Sequence, residues 1–357
     1  MRIDVISPSE LDSQACAKWL ELQRSNPALG SPFFCPDFTL AVAAVRSDVR
    51  IAVLQTGSEV VGFFPFQRRW SMGSPVGSYF SDHHGVIAAP DTRFEWSQLL
   101  RAAKLAYWRF DHLAAGQAPG SDCAQMTSPR MDLSQGLAAY KKRRQDNGAR
   151  SFEEYERKAR KLARTMGPLR FESHTNDQRV FEEVIRLKTE QCQRTRVGNV
   201  FRECWTRSLL EHIRAVQQPH FAGRLSALYA GDTLVAAHMG MCSEQVWHWW
   251  FPVYDRSYAK LSPGTQLLRL TAEEAAKQNL PFLDLGKGTE AYKQIFADSH
   301  LPLVEGWVSS PSPMTVLLSA PKMERWLRTS KVLKPLRTTL RQTISRFKGK
   351  ASSVEIQ

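Results

Sequence analysis

Apolar and polar positions alternate along the chain in short runs that are set off by turn residues and separated by stretches of helical period. Residues 50–55 (RIAVLQ) and 59–66 (EVVGFFPF) flank Thr56-Gly57-Ser58, a spacing and turn chemistry that predict a β-hairpin. A strand is predicted at 2–6. Ser7-Pro8-Ser9-Glu10 then has the form of a capping box with proline at the first helical position, and predicts a helix carrying Trp19, Leu20 and Leu22. A second helix is predicted around 38–45, after the prolines at 32 and 36. The later part of the chain has the same plan: a basic helix over 152–166, a strand at 169–172, helices near 177–193 and 202–217, and a hairpin of 224–229 and 233–242 about Gly231-Asp232. An aromatic β-run, QVWHWWFPV (245–253), leads through an irregular stretch to Ser262-Pro263-Gly264-Thr265 and a helix from about 265 to 278. A strand at 282–285, a short helical piece at 289–296 and a last strand near 303–308 complete the pattern.

The two hairpins superpose at an offset of 174 residues, with the leading Arg50 and Arg224 and the turn glycines Gly57 and Gly231 in register. Gln98-Leu99-Leu100-Arg101 echoes Gln266-Leu267-Leu268-Arg269 at an offset of 168, and Phe110-Asp111 echoes Leu283-Asp284 at 173. Three echoes in the same order predict an internal duplication, against the alternative that apolar alternation and a Gln-Leu-Leu string coincide by chance.

The 357 residues, 43% hydrophobic and 23% charged, exclude disorder as the main state and are long enough for two domains. The first seven residues (MRIDVIS) lack the pattern of a secretory signal, and no apolar run is long enough to span a bilayer. Six cysteines at irregular spacing form no C-x-x-C pair, so neither a zinc site nor a disulfide framework is expected; a cytoplasmic location is. No metal is expected, because His84 has no second ligand at metal spacing.

The formal charge is +13, but it is concentrated. Residues 141–170 carry a net +7 and residues 321–350 a net +9, which leaves a body close to neutral. In the first segment Tyr155, Ala159, Leu162 and Ala163 form a helical apolar stripe, and the charges are a solvated face or a phosphate-contacting one. In the second, Trp326, Leu333, Leu340 and Phe347 belong to a basic amphipathic pattern broken at Pro335, suited either to an anionic membrane surface or to packing on the protein itself.

The junction at 261–266 offers free backbone N–H groups and the positive end of a helix dipole. It is either an anion site or simply a well-capped helix start. Residues 151–308 resemble the GNAT acyltransferase fold. Within it they resemble the CelD/BcsL-type acetyltransferases of cellulose and exopolysaccharide biosynthesis, a group related to the FemABX peptidyltransferases. The resemblance is carried by LSALYAGDTLVAAHMG (225–240), Pro252-Val253-Tyr254-Asp255, PGTQLL (263–268) and FLDLGKGTEAYKQIF (282–296). Ser81-Asp82-His83-His84-Gly85-Val86 resembles the Asp-containing loop of the same group and extends the likeness to the first half.

The resemblance implies an α+β fold of tandem GNAT-like (acyl-CoA N-acyltransferase) halves, with mixed central sheets flanked by helices and a basic C-terminal helical tail. The expected divisions are an N-terminal half at 1–135, the acyltransferase domain at 136–310 and the tail at 311–357. It further implies transfer from acetyl-CoA or another acyl-CoA to an amine or hydroxyl of a small-molecule or saccharide acceptor. The cofactor's pantetheine arm would lie on Trp249, Phe251 and Val253, and its pyrophosphate on Leu261, Gly264, Thr265 and Gln266. Only Gly264 remains of the usual glycine loop.

His238 is a candidate base or a core histidine, Tyr292 a general acid or a core aromatic, and Lys293 a group at the reacting carbonyl or a solvated helix lysine. Asp82 and His83 are acceptor contacts or an Asx turn, and Asp284 accepts N–H bonds from the Gly286-Lys287-Gly288 turn. Trp247, Trp249 and Trp250 are core or an acyl- or sugar-contacting wall. The alternative functions are aminoacyl transfer from tRNA held by Lys141, Lys142, Arg143, Arg144 and the 157–164 stretch, or an inactive scaffold of the polysaccharide machinery. Of the two readings of the tail, the membrane one implies peripheral contact with the inner membrane face.

Overall fold

The computed structural model describes residues 1–147, 151–195, 201, 203–288 and 290–310. The first half runs β1 (Arg2–Ile6), α1 (Ser13–Ser25), α2 (Pro36–Val45), β2 (Val49–Thr56), β3 (Glu59–Arg69), β4 (Met72–Ser74), β5 (Ile87–Ala88), α3 (Trp96–Ala102), β6 (Tyr107–Ala114) and β7 (Ala124–Asp132). The second runs α4 (Gly136–Asp146), α5 (Ser151–Met166), β8 (Leu169–Glu172), α6 (Gln178–Thr195), α7 (Cys204–Ala215), β9 (Gln217–Gln218), β10 (Phe221–Ala230), β11 (Thr233–Ser243), β12 (Val246–Tyr254), α8 (Pro263–Lys277), β13 (Phe282–Asp284), α9 (Ala291–Phe296) and β14 (Ser299–Ser309).

Ser7 and Glu10 do form the expected capping box, with the Ser7 N–H donating to Glu10 Oε2 at 2.7 Å, but it closes only a 3-10 turn. The helix proper starts at Ser13, where Asp12 accepts from the Ala15 N–H and becomes the stronger cap.

The duplication is visible in the pairing. In the first half β1-β2-β3-β4 is antiparallel and β4 joins β6 in parallel; in the second β8-β10-β11-β12 is antiparallel and β12 joins β13 in parallel. The turn glycines of the two equivalent hairpins, Gly57 (φ 61°) and Gly231 (φ 56°), occupy the left-handed region that glycine reaches without a Cβ clash. The Gln-Leu-Leu echoes lie on α3 and α8, and Phe110-Asp111 and Leu283-Asp284 lie on β6 and β13.

Helices cover both faces. α2, α6 and α7 enclose one core, and residues of α4, α5, α8 and α9 enclose another on the opposite face of β10–β13. Residues of α3 and α1 cover the two faces of the first-half strands.

The two halves are not separable at 135/136. β7, from the first half, pairs with β13, while β14, from the end of the chain, lies between β6 and β7. Each half thus lends its last strand to the other, and residues Met1–Val308 form one compact unit. The basic tail at 311–357 lies outside the described residues. Arg143 ion-pairs with Asp298 at 2.9 Å, and Arg144 donates to the carbonyls of Ala297 and Ile295. Two of the four cations in the 141–144 cluster are therefore spent holding α4 against the β13–β14 connection.

Residues 136–310 expressed alone would leave β13 and β14 with bare edges where β7 belongs. That fragment is expected to aggregate, whereas residues 1–310 melt in a single cooperative transition. A soluble 136–310 fragment with native-like melting would contradict the exchanged-strand arrangement.

Candidate active site

β12 pairs with β11 as far as Tyr254, but with β13 only at Val246↔Phe282, Trp247↔Leu283 and His248↔Asp284. Beyond His248 the two parallel strands part. β13 is drawn toward β7: Asp284 pairs with Arg130, the Leu285 N–H donates to Pro129 O at 2.9 Å, and Gly286 turns the chain at φ 71°. No described strand covers the second edge of β12 from Trp249 to Tyr254.

The gap opens into a cleft of about 450 Å³. Gly264 lies against Tyr254 at one end, Trp249 and Tyr292 line the cleft together with Thr265 and Gly286, and Asp82, Lys188 and Gln191 complete the lining. At the Tyr254 end α8 begins at Ser262, which sits in the left-handed region (φ 52°) with no side-chain cap, and Pro263 follows at the first helical position. No side chain caps this turn; Pro263 has no N–H, and Thr265 and Gln266 both donate to Ser262 O at 3.1 Å, so the Gly264 N–H and the helix dipole are what it offers an anion.

The apex where the strands part is a buried polar cluster. Asp284, fully buried, accepts from the Ser128 hydroxyl at 2.6 Å, the Gly286 N–H at 2.9 Å and Arg130 Nε at 2.9 Å. The expected bond from the turn to Asp284 is therefore present. Burial by itself would raise the Asp284 pKa, but His83, Arg130, His248 and the Ser128 hydroxyl outweigh it and hold the carboxyl well below its usual range. His248, also fully buried, bonds through Nε2 to Asp82 Oδ2 at 2.9 Å and turns Nδ1 toward Asp284 Oδ1 at 3.6 Å. Burial would likewise raise Asp82, yet the His248 hydrogen bond and the surrounding histidines bring it down to about 2. Asp82, a quarter exposed, thus carries the cluster's charge to the cleft wall.

His83, His248 and Asp284 each place a ligand atom within 4.8 Å of the others, the spacing of a cation site. Arg130 already neutralises Asp284, however, and Ser128 and Gly286 occupy its other oxygen, so the carboxylate has little left to offer a divalent ion.

The structure reassigns several residues singled out in the sequence. His238 does not line the cleft. The β11–β12 register shifts between Met239 and Met241, and the Trp250 N–H is taken by His238 Nε2 at 3.1 Å while the imidazole stacks on Trp249 at 4.0 Å. Burial keeps it well below its ordinary pKa, and its function is to close the bulge. His83 is also buried, with Nδ1 on Ser31 Oγ at 3.0 Å, and lies behind Asp82 rather than in the cleft. Lys293 lines the cleft, but its ammonium donates to Gly286 O (3.0 Å), Lys287 O (2.9 Å) and Glu290 Oε2 (3.1 Å). Two of its donors are thus committed to the turn and the third to Glu290.

Gln266 is fully buried and donates to Tyr155 O at 2.7 Å, tying α8 to α5. Phe251 and Val253 point their side chains into the α6–α7 core, so only their backbone can serve a ligand, and Leu261 packs on the opposite core. Trp249, Gly264, Thr265, Tyr292 and Asp82 do line the cleft. Trp247 and Trp249 belong to one core and Trp250 to the other.

The amino-acid sequence of residues 149–294 matches the acetyltransferase (GNAT) domain family. This stretch is a GNAT-fold acetyltransferase domain. On that match the chain is an acyltransferase. No curated protein matches it. Among solved structures it is similar to FemX, at 10% identity and TM-score 0.58 over 89% of this chain and 99% of that one. It is similar also to the C-terminal domain of a provisionally named lysylphosphatidylglycerol synthetase from Agrobacterium fabrum, at 10% identity and TM-score 0.54 over 87% and 96%. A tandem GNAT protein from the clavulanic acid biosynthesis pathway aligns at 12% identity and TM-score 0.47 over 87% and 99%.

The acetyltransferase domain holds residues that the sequence reading missed. His248 sits out of phase with Trp247 and Trp249 in QVWHWWFPV, and so on the other face of the strand. Lys188 continues the stripe of Val184 and Cys192 at four-residue spacing, which marks it as inward-facing.

Asp284→Asn is expected to destabilise the protein by about 3–5 kcal/mol at pH 7, because it leaves Arg130 buried beside an uncharged partner. Acid should act on the same cluster. Burial pushes His83 and His84 down to about 3, so below about pH 6.5 the unfolded chain takes up protons that the folded one refuses, and stability falls. Asp82 adds a loss between about pH 4 and its folded value of about 2. A melting temperature that does not decline from pH 7 to pH 4 would refute this description.

Proposed function

We propose that the protein transfers an acyl group directly from acyl-CoA to an amine or hydroxyl of a small-molecule or saccharide acceptor, with Asp82 as proton acceptor and Tyr292 as proton donor. One observation carries the reading: the unpaired edge of β12 runs from the Asp82–His248 apex to Tyr254, against which the N-terminus of α8 begins without a side-chain cap. A pantetheine arm has amides that can continue the ladder along that edge, and a pyrophosphate suits the first turn of α8. The thioester then lies at the apex beside Asp82 and Tyr292.

The acceptor's N or O attacks the thioester carbonyl and its proton passes to Asp82, which His248 holds in place. Collapse breaks the C–S bond, and the departing thiolate takes the Tyr292 proton. Burial, reinforced by Glu290, raises the Tyr292 pKa, so the phenol is protonated at neutral pH, and the proton it gives to the thiolate is replaced from Asp82 through the cleft, which resets both groups. Likeness to the CelD/BcsL-type group supports an acceptor from polysaccharide or envelope biosynthesis.

Acetyl-CoA or a longer acyl-CoA at 100 times its Kd should stabilise the protein by about 2.7 kcal/mol, read as a rise in melting temperature. Asp82→Asn and Tyr292→Phe should each lower kcat by about 10²- to 10⁴-fold while leaving that rise in place. Absence of a rise with every acyl-CoA, together with a salt-sensitive rise on adding aminoacyl-tRNA, would overturn the assignment of the donor.

A further inference from the structure

The cleft contains three lysines, of which two are spent. Lys293 holds the Gly286–Lys287 turn, and Lys287 donates to Asp111 O at 3.0 Å and to Glu305 Oε2 at 3.1 Å. Of the cleft carboxylates, Glu290 is spent on Lys293, and Asp82 is held by His248 through one oxygen, Oδ2. Lys188 is the exception. It projects from the inward face of α6, and its ammonium lies 5.6 Å from the centroid of the Phe251 ring. No hydrogen bond or ion pair joins it to a described residue. Burial lowers its pKa, as for an ammonium that has lost water without gaining a hydrogen-bonded anion in exchange. Such a group costs free energy unless a ligand supplies the missing anion.

The position of Lys188 narrows what that anion is. Its ammonium lies over Phe251 in the uncovered stretch of β12, and the cleft groups acting on it include Asp82, which is bonded to His248 at the apex, and Lys293, which is bonded to Gly286 O there. The first turn of α8, which suits the cofactor's pyrophosphate, lies against Tyr254, at the other end of the uncovered β12 edge from His248. The anion therefore arrives with the acceptor.

We propose that the acceptor carries a carboxylate or phosphate in addition to its nucleophilic amine or hydroxyl, and that Lys188 binds this group while Asp82 faces the nucleophile. This rests on the acyl-transfer reading above and names its substrate class. Lys188 becomes the residue that separates anionic acceptors from neutral ones, because a neutral acceptor leaves the ammonium unpaired and forfeits a charge-assisted hydrogen bond.

The test uses matched acceptors that differ in one anionic group: glucosamine against glucosamine 6-phosphate, ethanolamine against O-phosphoethanolamine, and glycinamide against glycine. Release of CoA from acetyl-CoA is followed for the wild-type protein, Lys188→Met and Lys188→Arg. In at least one pair the wild type should favour the anionic member by tenfold or more in kcat/KM. Lys188→Met should bring that ratio close to one, mainly through KM, and Lys188→Arg should restore part of it. The phosphate and carboxylate pairs distinguish the two forms of the anion. Three results overturn the proposal: equal or better use of the neutral members, an equal loss on both members in Lys188→Met, which would mark a base or a structural group, and no release with any anionic member. The acetyl-CoA melting shift of the wild-type protein is recorded in the same samples. If that shift is absent the acyl-CoA reading itself has failed; if it is present, a lack of preference counts against the anionic acceptor alone.

Discussion

A single buried carboxylate sets the geometry of this protein. Asp284 is the last residue of β13 to pair with β12, and it is also the residue that β7 captures through Ser128 and Arg130. Those bonds turn β13 away from β12 at the point where their ladder ends. An ionised group with no solvent contact is tolerable only when its lone pairs are filled and its charge is matched, so the bonds that stabilise Asp284 are the bonds that open the cleft. The same carboxylate faces His248, which in turn holds Asp82 at the cleft wall. Structural and chemical demands therefore meet at one site.

The exchange of strands between the halves makes that meeting possible. Ser128 and Arg130 lie on the last strand of the first half, Asp82 on a first-half loop, and His248 and Asp284 on the second half. Neither half contains the apex by itself. In the duplicated arrangement Asp111 on β6 occupies the place of Asp284 on β13, but there it lies nearly half exposed beside His112. One copy of the repeat has developed a cleft with a free strand edge, and the other supplies the residues that brace and face it.

Much of this was legible in the sequence because it is local. Period and turn chemistry gave both hairpins, the start of α8 and the acceptance of a turn N–H by Asp284. The echoes at near-constant offset gave the repeat. Other features depend on partners far along the chain. The destination of β7 and β14 is a choice among sheet edges, which no local pattern encodes. His238 alternates correctly for an inward-facing strand residue, but the register shift opposite Trp250, which gives it an N–H to accept, is invisible to alternation. Lys293 fits a functional reading by position, and only the carbonyls of Gly286 and Lys287 show that its donors are used. His248 was masked by its tryptophan neighbours.

Charge was informative by where it sits. Part of the excess in residues 141–170 clamps α4 through Arg143 and Arg144. No described helix is long and apolar enough to cross a membrane. Lys188, the one cleft cation with no hydrogen bond or ion pair among the described residues, comes from a segment close to neutral overall, which a tally of net charge passes over.

The central claim is that the uncovered edge of β12 and the first turn of α8 form one continuous seat for an acyl-CoA. Amide hydrogen exchange with and without acetyl-CoA tests it most directly. Protection confined to amides between Trp249 and Tyr254 and to those of Gly264, Thr265 and Gln266 is the predicted result. Binding that protects neither stretch, or that protects the first-half strands instead, would contradict it.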